Sequence, residues 1–230
     1  MSNETLSNDT FTPADIRNVA ASAEDNPLDR FVSSGLSRLD SQLSFVIEID
    51  KMTHILRRTL LTDGSRREND AEHSWHIAVM SLLFKEYFPE PVDCTRAAAL
   101  CVVHDLVEVY AGDTFAFDKE GNKSKAAREE AAADKLFSML PEEQGKQIRD
   151  MWEEFDAMKT AESRYANCMD RIQPFLHNTL TGGHTWLQAS ASVEDVHKRM
   201  APVKENMPQV WPWIETNIQN GVKLGWIREN

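Results

Sequence analysis

The segment HDLVEVYAGD, which begins at His104, brings one imidazole and two carboxyl groups into five residues: His104, Asp105 and Glu108. An uninterrupted apolar run at 97–103 precedes it and predicts a helix enclosed on most sides. Residues three and four apart share a helical face, so Glu108 is expected to lie over His104 and Asp105. Buried ionisable groups are costly unless they are paired or bind a metal ion. The segment therefore indicates either a metal site or a core histidine beside a capping aspartate.

Two other segments place polar residues inside sequences typical of packed helix. His73 lies near the start of a predicted helix and is expected to point inward, whereas His76 is expected at the surface or behind the site. Asp170 lies within the segment RYANCMDRIQPFLHN. A lone aspartate there would pair with Arg171 or Arg164. As a fourth ligand, it would instead complete a set of two imidazoles and two carboxylates.

Length and charge limit the classes of protein to consider. A chain of 230 residues is long enough for one sizeable domain, and we predict a single domain at 31–230. Residues 1–30 are rich in Ser, Asn, Thr and Asp, which predicts a flexible tail. The formal net charge of -12 argues against binding of nucleic acid polymers, which need a basic surface.

The cysteines and the absence of long apolar runs bear on location. The three cysteines form no CxxC motif and cannot all pair, which favours a reducing cytoplasm. No apolar run approaches the roughly 20 residues needed to cross a bilayer. We therefore expect a cytoplasmic protein without a membrane-spanning segment.

The apolar spacing predicts an all-α fold of about seven or eight helices, without strands or internal repeats. The first long amphipathic helix is expected from Leu36 to Gly64. Asn69 or Asp70 would cap the next helix, and a later helix would run from Thr160 to Leu180. The predicted core face of the second of these helices consists of Trp75, Val79, Leu82 and Leu83.

The order of these residues resembles a known family. His73, the pair His104-Asp105 and Asp170, each on a separate predicted helix, are similar to the H...HD...D pattern of the HD-domain metal-dependent phosphohydrolases. The similarity extends over about 45–177 and includes LRRT, RRENDAEHSWHIA, HDLVEVYAGDT and the LP...WEEF stretch. The combination most resembles the compact branch that includes 5'-deoxynucleotidases, and it implies a compact HD-domain helical bundle.

The resemblance implies one divalent metal ion held by His73, His104, Asp105 and Asp170. Two imidazoles and two carboxylates suit a borderline ion better than calcium, so the candidates are Mn, Co, Fe, Ni, Zn or Mg. The implied reaction is hydrolysis of the phosphomonoester of a (deoxy)nucleoside 5'-monophosphate by attack of a metal-bound water.

The family pattern also assigns roles beyond the metal ligands. It implies that Glu108 takes part in the acid-base step and that Asp113 contacts substrate or water. Arg58 matches the phosphate-contacting arginine of the family, and a guanidinium offers two parallel donors to phosphate oxygens. Four further cations are weaker candidates and are expected to be solvated or salt-bridged: Arg66, Arg67, Lys123 and Lys125.

Two departures from the deoxynucleotidase pattern concern the sugar. Arg58 is followed by Thr59 and not by an aromatic residue, and Ala111 replaces a hydroxyl side chain of the bacterial enzymes. The preference for deoxyribose over ribose therefore stays open.

Other functions are compatible with the same family. The segment 106–176 contains no histidine, which argues against the diiron oxygenases built on this scaffold. A non-catalytic nucleotide-sensing HD module and a hydrolase of a non-nucleotide phosphoester remain as alternatives. The resemblance also implies a homodimer. Five aromatic residues could mark its interface, although filling of the core is the ordinary interpretation for any one of them: Trp152, Phe175, Trp186, Trp211 and Trp213.

Overall fold

The computed structural model describes residues 26–229. Most of the predicted flexible tail, 1–25, lies outside the described residues. The α-helices are α1 (Ser37–Ile49), α2 (Asp70–Leu83), α3 (Cys94–Val103), α4 (Glu108–Ala111), α5 (Gly121–Phe137), α6 (Glu142–Ala157), α7 (Ala161–Leu180), α8 (His184–Ala189), α9 (Val193–Asn206) and α10 (Trp211–Lys223). The other regular elements are β1 (Leu56–Leu60), β2 (Arg67–Asn69) and 3-10 helices at Pro27–Arg30, Asp50–His54 and Lys85–Tyr87.

The prediction of an all-α fold is confirmed, since eight of these helices have ten residues or more. The expected absence of strands is wrong. Helix α1 ends at Ile49, well before Gly64, and the strands β1 and β2 then pair in an antiparallel hairpin. Strands of five and three residues are too short to show a clear period of two in the sequence.

The helices α2, α3 and α7 pack against one another at the centre of the protein. Ile77, Leu100 and Met169, one from each helix, are fully buried in the hydrophobic core. Tyr165 of α7 is also fully buried and donates its hydroxyl to the backbone carbonyl of Ser81 at 2.8 Å. These contacts fix the relative positions of the helices that carry His73 and Asp170 and of the helix that leads into His104 and Asp105.

Helix α2 begins as predicted but turns the opposite face inward. The Asn69 side chain accepts from the backbone N–H of Glu72, and Glu72 in return accepts from Asn69, a reciprocal cap of the helix start. The predicted core face is wrong, because Trp75 and Leu83 are 66% and 63% exposed. Hydrophobicity alone did not identify the buried face, because that face carries polar as well as apolar residues. Its buried residues are Asp70, His73, Ser74, Ile77, Met80 and Ser81.

The expected continuous helix through His104 and Glu108 is interrupted. Helix α3, capped by Asp93, ends at Val103, and the chain forms turns before the single-turn helix α4 begins at Glu108. Gly112 ends α4 with a φ of 73°, a backbone conformation that glycine adopts without strain. The interruption means that Glu108 does not lie one helical turn above His104.

Helix α7 confirms the prediction for its segment. Thr160 caps its start through the backbone N–H of Ser163, and Pro174 lies inside it. Asp170, Gln173 and His177 are three and four residues apart and therefore share one face. All three are buried.

Two further expectations concern membranes and cysteines. Among residues 26–229, no helix is long and apolar enough to cross a membrane. The cysteines Cys94, Cys101 and Cys168 are free, and the last two are buried. The boundaries of a single domain at 31–230 stay a prediction.

Candidate functional site

The four predicted ligands converge at one point in the centre of the protein. Nε2 of His73 lies 3.2 Å from Oδ1 of Asp170, and Nε2 of His104 lies 2.9 Å from Oδ2 of Asp105. The cross distances are 3.8 Å from His104 to Asp170 and 4.0 Å from His73 to Asp105. Donor atoms at 2.0–2.2 Å from a common ion lie about 3 to 4 Å apart. One ligand atom from each of His73, His104 and Asp170 lies within 4.8 Å of the other two, which is a spacing able to hold one cation. Asp105 approaches both imidazoles.

The hydrogen bonds of the two imidazoles also fit a cation. Nδ1 of His104 donates to the backbone carbonyl of Cys101 at 2.7 Å, so the proton of the neutral ring lies on Nδ1. Nε2 of His104 is buried without a hydrogen-bond partner, although Asp105 is close. Nitrogen lone pairs that face carboxylates across a short gap repel one another unless a proton or a cation lies between them.

Charge in the cluster is balanced by arginines. Burial opposes ionisation of Asp170, but Arg199, 3.1 Å from its Oδ2, and His73 hold its pKa well below the ordinary value. Burial likewise opposes ionisation of Asp105, and His104 and Arg57 lower its pKa. Both carboxyl groups are therefore ionised at neutral pH, as metal ligands must be.

A second carboxylate group lies beside the first. One oxygen from each of Asp70, Glu108 and Asp113 falls within 4.8 Å of the other two. One oxygen of Asp70 and one of Glu108 are buried without a hydrogen-bond partner. Burial and the neighbouring carboxylates of Asp105 and Asp70 raise the pKa of Glu108 well above its ordinary value. Glu108 consequently holds its proton more tightly than an ordinary glutamate does.

Strand β1 separates two adjacent arginines. Successive side chains of a strand point to opposite faces, and the side chain of Arg57 is 12% exposed whereas Arg58 is exposed. Arg57 lies within the acidic cluster, where it donates to Asp105 at 2.9 Å and approaches Asp70 at 3.4 Å. Arg58 lines the cleft that opens onto the cluster. The family pattern pointed to Arg58, and Arg57 was missed.

Of the four weaker cation candidates, three form hydrogen bonds or ion pairs away from the predicted ligands, and the fourth, Lys125, lines the cleft. Arg66 forms two hydrogen bonds with Glu72, and Arg67 donates to the backbone carbonyls of Leu56 and Arg57. Lys123 pairs with Glu120 at the surface.

Lys125, which we expected at the surface, lines the cleft 3.5 Å from Glu129. Burial opposes its charge, but Glu129 and Asp105 raise its pKa. Lys125 therefore adds a cation to the lining of the cleft, beside its partner Glu129.

The cleft has a volume of about 230 Å³. Phe175 and Trp186 are among the residues that line it and are both buried, with their ring centroids 5.3 Å apart. These two residues belong to the core, so they do not mark a subunit interface. Trp152 lines the cleft as well.

Residues behind His73 were not identified from the sequence. Oε1 of Gln173 lies 3.1 Å from Nδ1 of His73, and the amide nitrogen of Gln173 contacts Glu68 and lies 3.1 Å from His177. His76, half-buried, lies 3.3 Å from the same amide nitrogen, which agrees with its expected place behind the site. The spacing of Gln173 and His177 from Asp170 was the available signal.

Comparisons with known proteins agree with this architecture of helices around a buried cluster of potential metal ligands. The model of the HD domain family matches residues 49–211. The chain is 31% identical over 109 residues to the 5'-deoxynucleotidase HDDC2 of Bos taurus, which covers 47% of this chain and 52% of that protein. It is 30% identical over 150 residues to a 5'-deoxynucleotidase of Vibrio vulnificus, covering 58% of this chain and 77% of the relative.

A solved structure extends the comparison to most of the chain. The crystal structure of a predicted metal-dependent phosphohydrolase from Magnetospirillum magnetotacticum is 42% identical, with a TM-score of 0.79. It covers 86% of this chain and 99% of its own. The chain belongs to the HD domain family, as the sequence pattern indicated. It spans about half the length of the Bos taurus relative.

Proposed function

We propose that this protein is a metal-dependent phosphoric monoester hydrolase that acts on (deoxy)nucleoside 5'-monophosphates. The observation that supports it most directly is the approach of two imidazoles and two carboxylates to one another beside a cleft whose lining includes Arg58 and Lys125. The names of the relatives support the same activity.

The ion would be held by His73, His104, Asp105 and Asp170. When bound, it would lower the pKa of a coordinated water molecule and withdraw charge from the phosphoryl group. Imidazole and carboxylate ligands suit Mn, Co, Fe, Ni or Zn, and carboxylate ligands also suit Mg. The buried lone pair on Nε2 of His104 is the feature of this chain that supports a cation most strongly.

Glu108 is the proposed acid-base residue. Its carboxyl group is buried beside the cluster, and its Oε2 atom has no hydrogen-bond partner. Burial and the carboxylates of Asp105 and Asp70 raise the pKa of Glu108, and a carboxyl group with a raised pKa is suited to donate its proton to the leaving oxygen of the nucleoside. Asp70 and Asp113 each have an oxygen within 4.8 Å of an oxygen of Glu108, and their negative charge favours the protonated form of that group.

Arg58 and Lys125 are proposed to bind the phosphate, and Asp113 to contact substrate or water. Arg58 and Lys125 line the cleft together with the cluster residues. The planar guanidinium donates two parallel hydrogen bonds to phosphate oxygens, whereas the ammonium acts as a compact charge.

The nucleoside is proposed to lie in the same cleft, beside the aromatic residues Phe175 and Trp186. Asn178 and Thr185 line the cleft as well. Thr59 is buried and lines the cleft, which places it where a sugar could be contacted.

The test is phosphate release from metal-stripped protein that has been reloaded with manganese, cobalt, magnesium or zinc. The panel contains ribo- and deoxyribonucleoside 5'-monophosphates, with 3'-monophosphates and triphosphates as controls. We expect metal-dependent release from the 5'-monophosphates only. The deoxyribose-to-ribose ratio measures the effect of Thr59 and Ala111. Metal binding without release from any nucleotide would instead favour a nucleotide-sensing module or a non-nucleotide phosphoester as substrate.

The protein is further proposed to be a cytoplasmic homodimer. The exposed apolar residues of α2 lie at helical spacing and form one stripe: Trp75, Val79, Leu82 and Leu83. Contiguous exposed apolar surface is typical of association sites. Sedimentation velocity of the wild type and of Leu83→Lys tests this, and we expect the substitution to shift the dimer toward the monomer.

A further inference from the structure

A chain of hydrogen bonds runs from strand β1 to the back of His73. Nδ1 of His177 lies 2.8 Å from the carbonyl oxygen of Leu60, the last residue of β1. Nε2 of His177 lies 3.1 Å from the amide nitrogen of Gln173. Oε1 of Gln173 lies 3.1 Å from Nδ1 of His73. The imidazoles of His73 and His177 and the side chain of Gln173 are buried.

The chemistry of each group fixes the direction of this chain. A backbone carbonyl can only accept, so Nδ1 of His177 carries a proton and donates to Leu60. Burial lowers the pKa of His177, so its ring is neutral and Nε2 is an acceptor. The amide NH2 of Gln173 must then donate to His177, which turns Oε1 toward His73. Nδ1 of His73 is therefore the donor to Gln173.

Glu68 holds the amide of Gln173 in this orientation. Its carboxyl group accepts the second N–H of the Gln173 amide. The reversed amide would place Oε1 against both the Glu68 carboxyl group and the bare nitrogen of His177. Two such contacts between acceptors are each as costly as a lost buried hydrogen bond. Glu68, His76 and His177 are close enough together to be candidate metal ligands. The amide nitrogen of Gln173 contacts all three, so a protein donor already fills the space between them.

We propose that Gln173 and His177 are positioning residues. They fix the Nδ1–H tautomer of His73 and direct its Nε2 lone pair toward the other proposed metal ligands. The inference rests on the proposed function, because it requires His73 to be a metal ligand. Metal-ligating histidines commonly donate their other N–H to an acceptor that orients the ring. Here the acceptor is an amide, and its own orientation is set by a second histidine.

The placement on α7 gives this arrangement its rigidity. Asp170, Gln173 and His177 lie on one face of the same helix, so a proposed ligand and both positioning residues move as one unit. Leu60 connects that unit to the hairpin on which Arg57 and Arg58 lie. The proposed metal ligands and the proposed phosphate contact are thereby held in register through His177.

The test is cobalt(II) chloride binding to metal-stripped full-length protein, measured by visible absorption against a competing chelator. His177→Leu removes both hydrogen bonds of the imidazole, and Gln173→Met removes the amide. We expect each to weaken cobalt binding by about 10- to 100-fold. His177→Gln keeps one donor and one acceptor and should restore most of the affinity. His54→Leu, the same substitution at an exposed histidine, is the matched control and should bind as the wild type does.

His73→Ala separates the two hypotheses. Wild-type cobalt affinity in His73→Ala would overturn the proposed ligand set itself. Weak binding by His73→Ala together with wild-type affinity in His177→Leu and Gln173→Met would overturn the positioning roles alone. If the leucine variant fails to fold, nitrogen-15 chemical shifts of the histidines in zinc-loaded wild-type protein decide. We expect protons on Nδ1 of both His73 and His177, and a proton on Nε2 of either ring would overturn the proposal.

Discussion

The guanidinium of Arg57 lies 2.9 Å from Oδ2 of Asp105, inside the cluster that the family pattern marks as a metal site. The same group approaches Asp70 at 3.4 Å and Glu68 at 3.7 Å. Burial opposes its charge, but Asp105 and Glu108 raise the pKa of Arg57, so it is cationic at any ordinary pH. Arg57 is thus the counter-ion that allows several carboxyl groups to be buried together.

Arg57→Met is expected to destabilise the metal-free protein strongly. Removing one partner of a buried ion pair leaves uncompensated charge and typically costs about 3 to 5 kcal/mol. Arg58→Met, one residue along the strand and exposed, is the matched control and should change stability by less than about 0.5 kcal/mol. Urea unfolding of both variants measures the difference. Equal stabilities would show that Arg57 does not balance the cluster.

Arg58→Met is expected to act on substrate binding instead. A hydrogen bond to a charged group contributes about 1.5 to 3 kcal/mol, so kcat/KM should fall about tenfold to hundredfold. Most of the change is expected in KM, with the metal content unchanged. Steady-state kinetics and metal analysis on the same sample test this, and an unchanged KM would contradict the phosphate contact.

Asp105→Ala is expected to lose both metal and activity. Asp105 supplies one of the two carboxylates within 4.0 Å of the imidazole nitrogens. Its removal leaves three proposed ligands and takes away the carboxylate 2.9 Å from Arg57. The metal content of purified protein and the rate after addition of excess metal are the measurements. Retention of one tightly bound ion would show that Asp105 is not a ligand.

Glu108→Gln is expected to keep the metal and lose turnover. The amide has nearly the same shape but cannot give up a proton, so kcat should fall by about 100- to 10,000-fold. Glu153→Gln, at an exposed glutamate that does not line the cleft, is a control that should retain most of the rate. Turnover by Glu108→Gln at the wild-type rate would make the acid-base assignment wrong.

Glu68→Gln is expected to change how the stability of the metal-free protein depends on pH. Burial raises the pKa of Glu68 to about 7 from 4.5. The folded protein therefore holds this proton more tightly than the unfolded chain does. The stabilisation is complete below pH 4.5 and is lost as the pH rises through 7.

The variant has no such proton, so its melting temperature should exceed that of the wild type more at pH 8 than at pH 5. The limit from the shift is about 3 kcal/mol, or about 6 to 12 °C for a chain of this length. Thermal melts at the two values test it. A difference that does not vary with pH would show that Glu68 ionises normally in the folded protein.

The helical fold and the convergence of the four ligand candidates could be predicted from the sequence, because polar residues inside apolar helices are costly unless they meet one another or an ion. Which face of α2 is buried could not be predicted, since apolar residues occur on both faces and the inner face also carries Asp70 and His73. When apolar residues occur on both faces of a helix, hydrophobic spacing alone does not identify the buried face.

The remaining misses have local causes. The interruption between α3 and α4 follows no glycine or proline, so no residue type signals the end of the helix at Val103. Arg57 was overlooked because a five-residue strand is too short to reveal its alternation. Gln173 and His177 were overlooked because their role depends on partners in β1 and α2, which only the folded chain brings together.

The register of β1 also determines where this protein tolerates changes in length. A shift of one residue within 57–60 would place either Leu56 beside the buried carboxyl groups or Thr59 at the cleft position of Arg58, so one of the two places would lose its guanidinium. The hairpin turn at 62–66 is exposed, and residues can be added there without such a shift. Natural variation in length is therefore expected in the turn, while the strand beside it keeps a fixed number of residues.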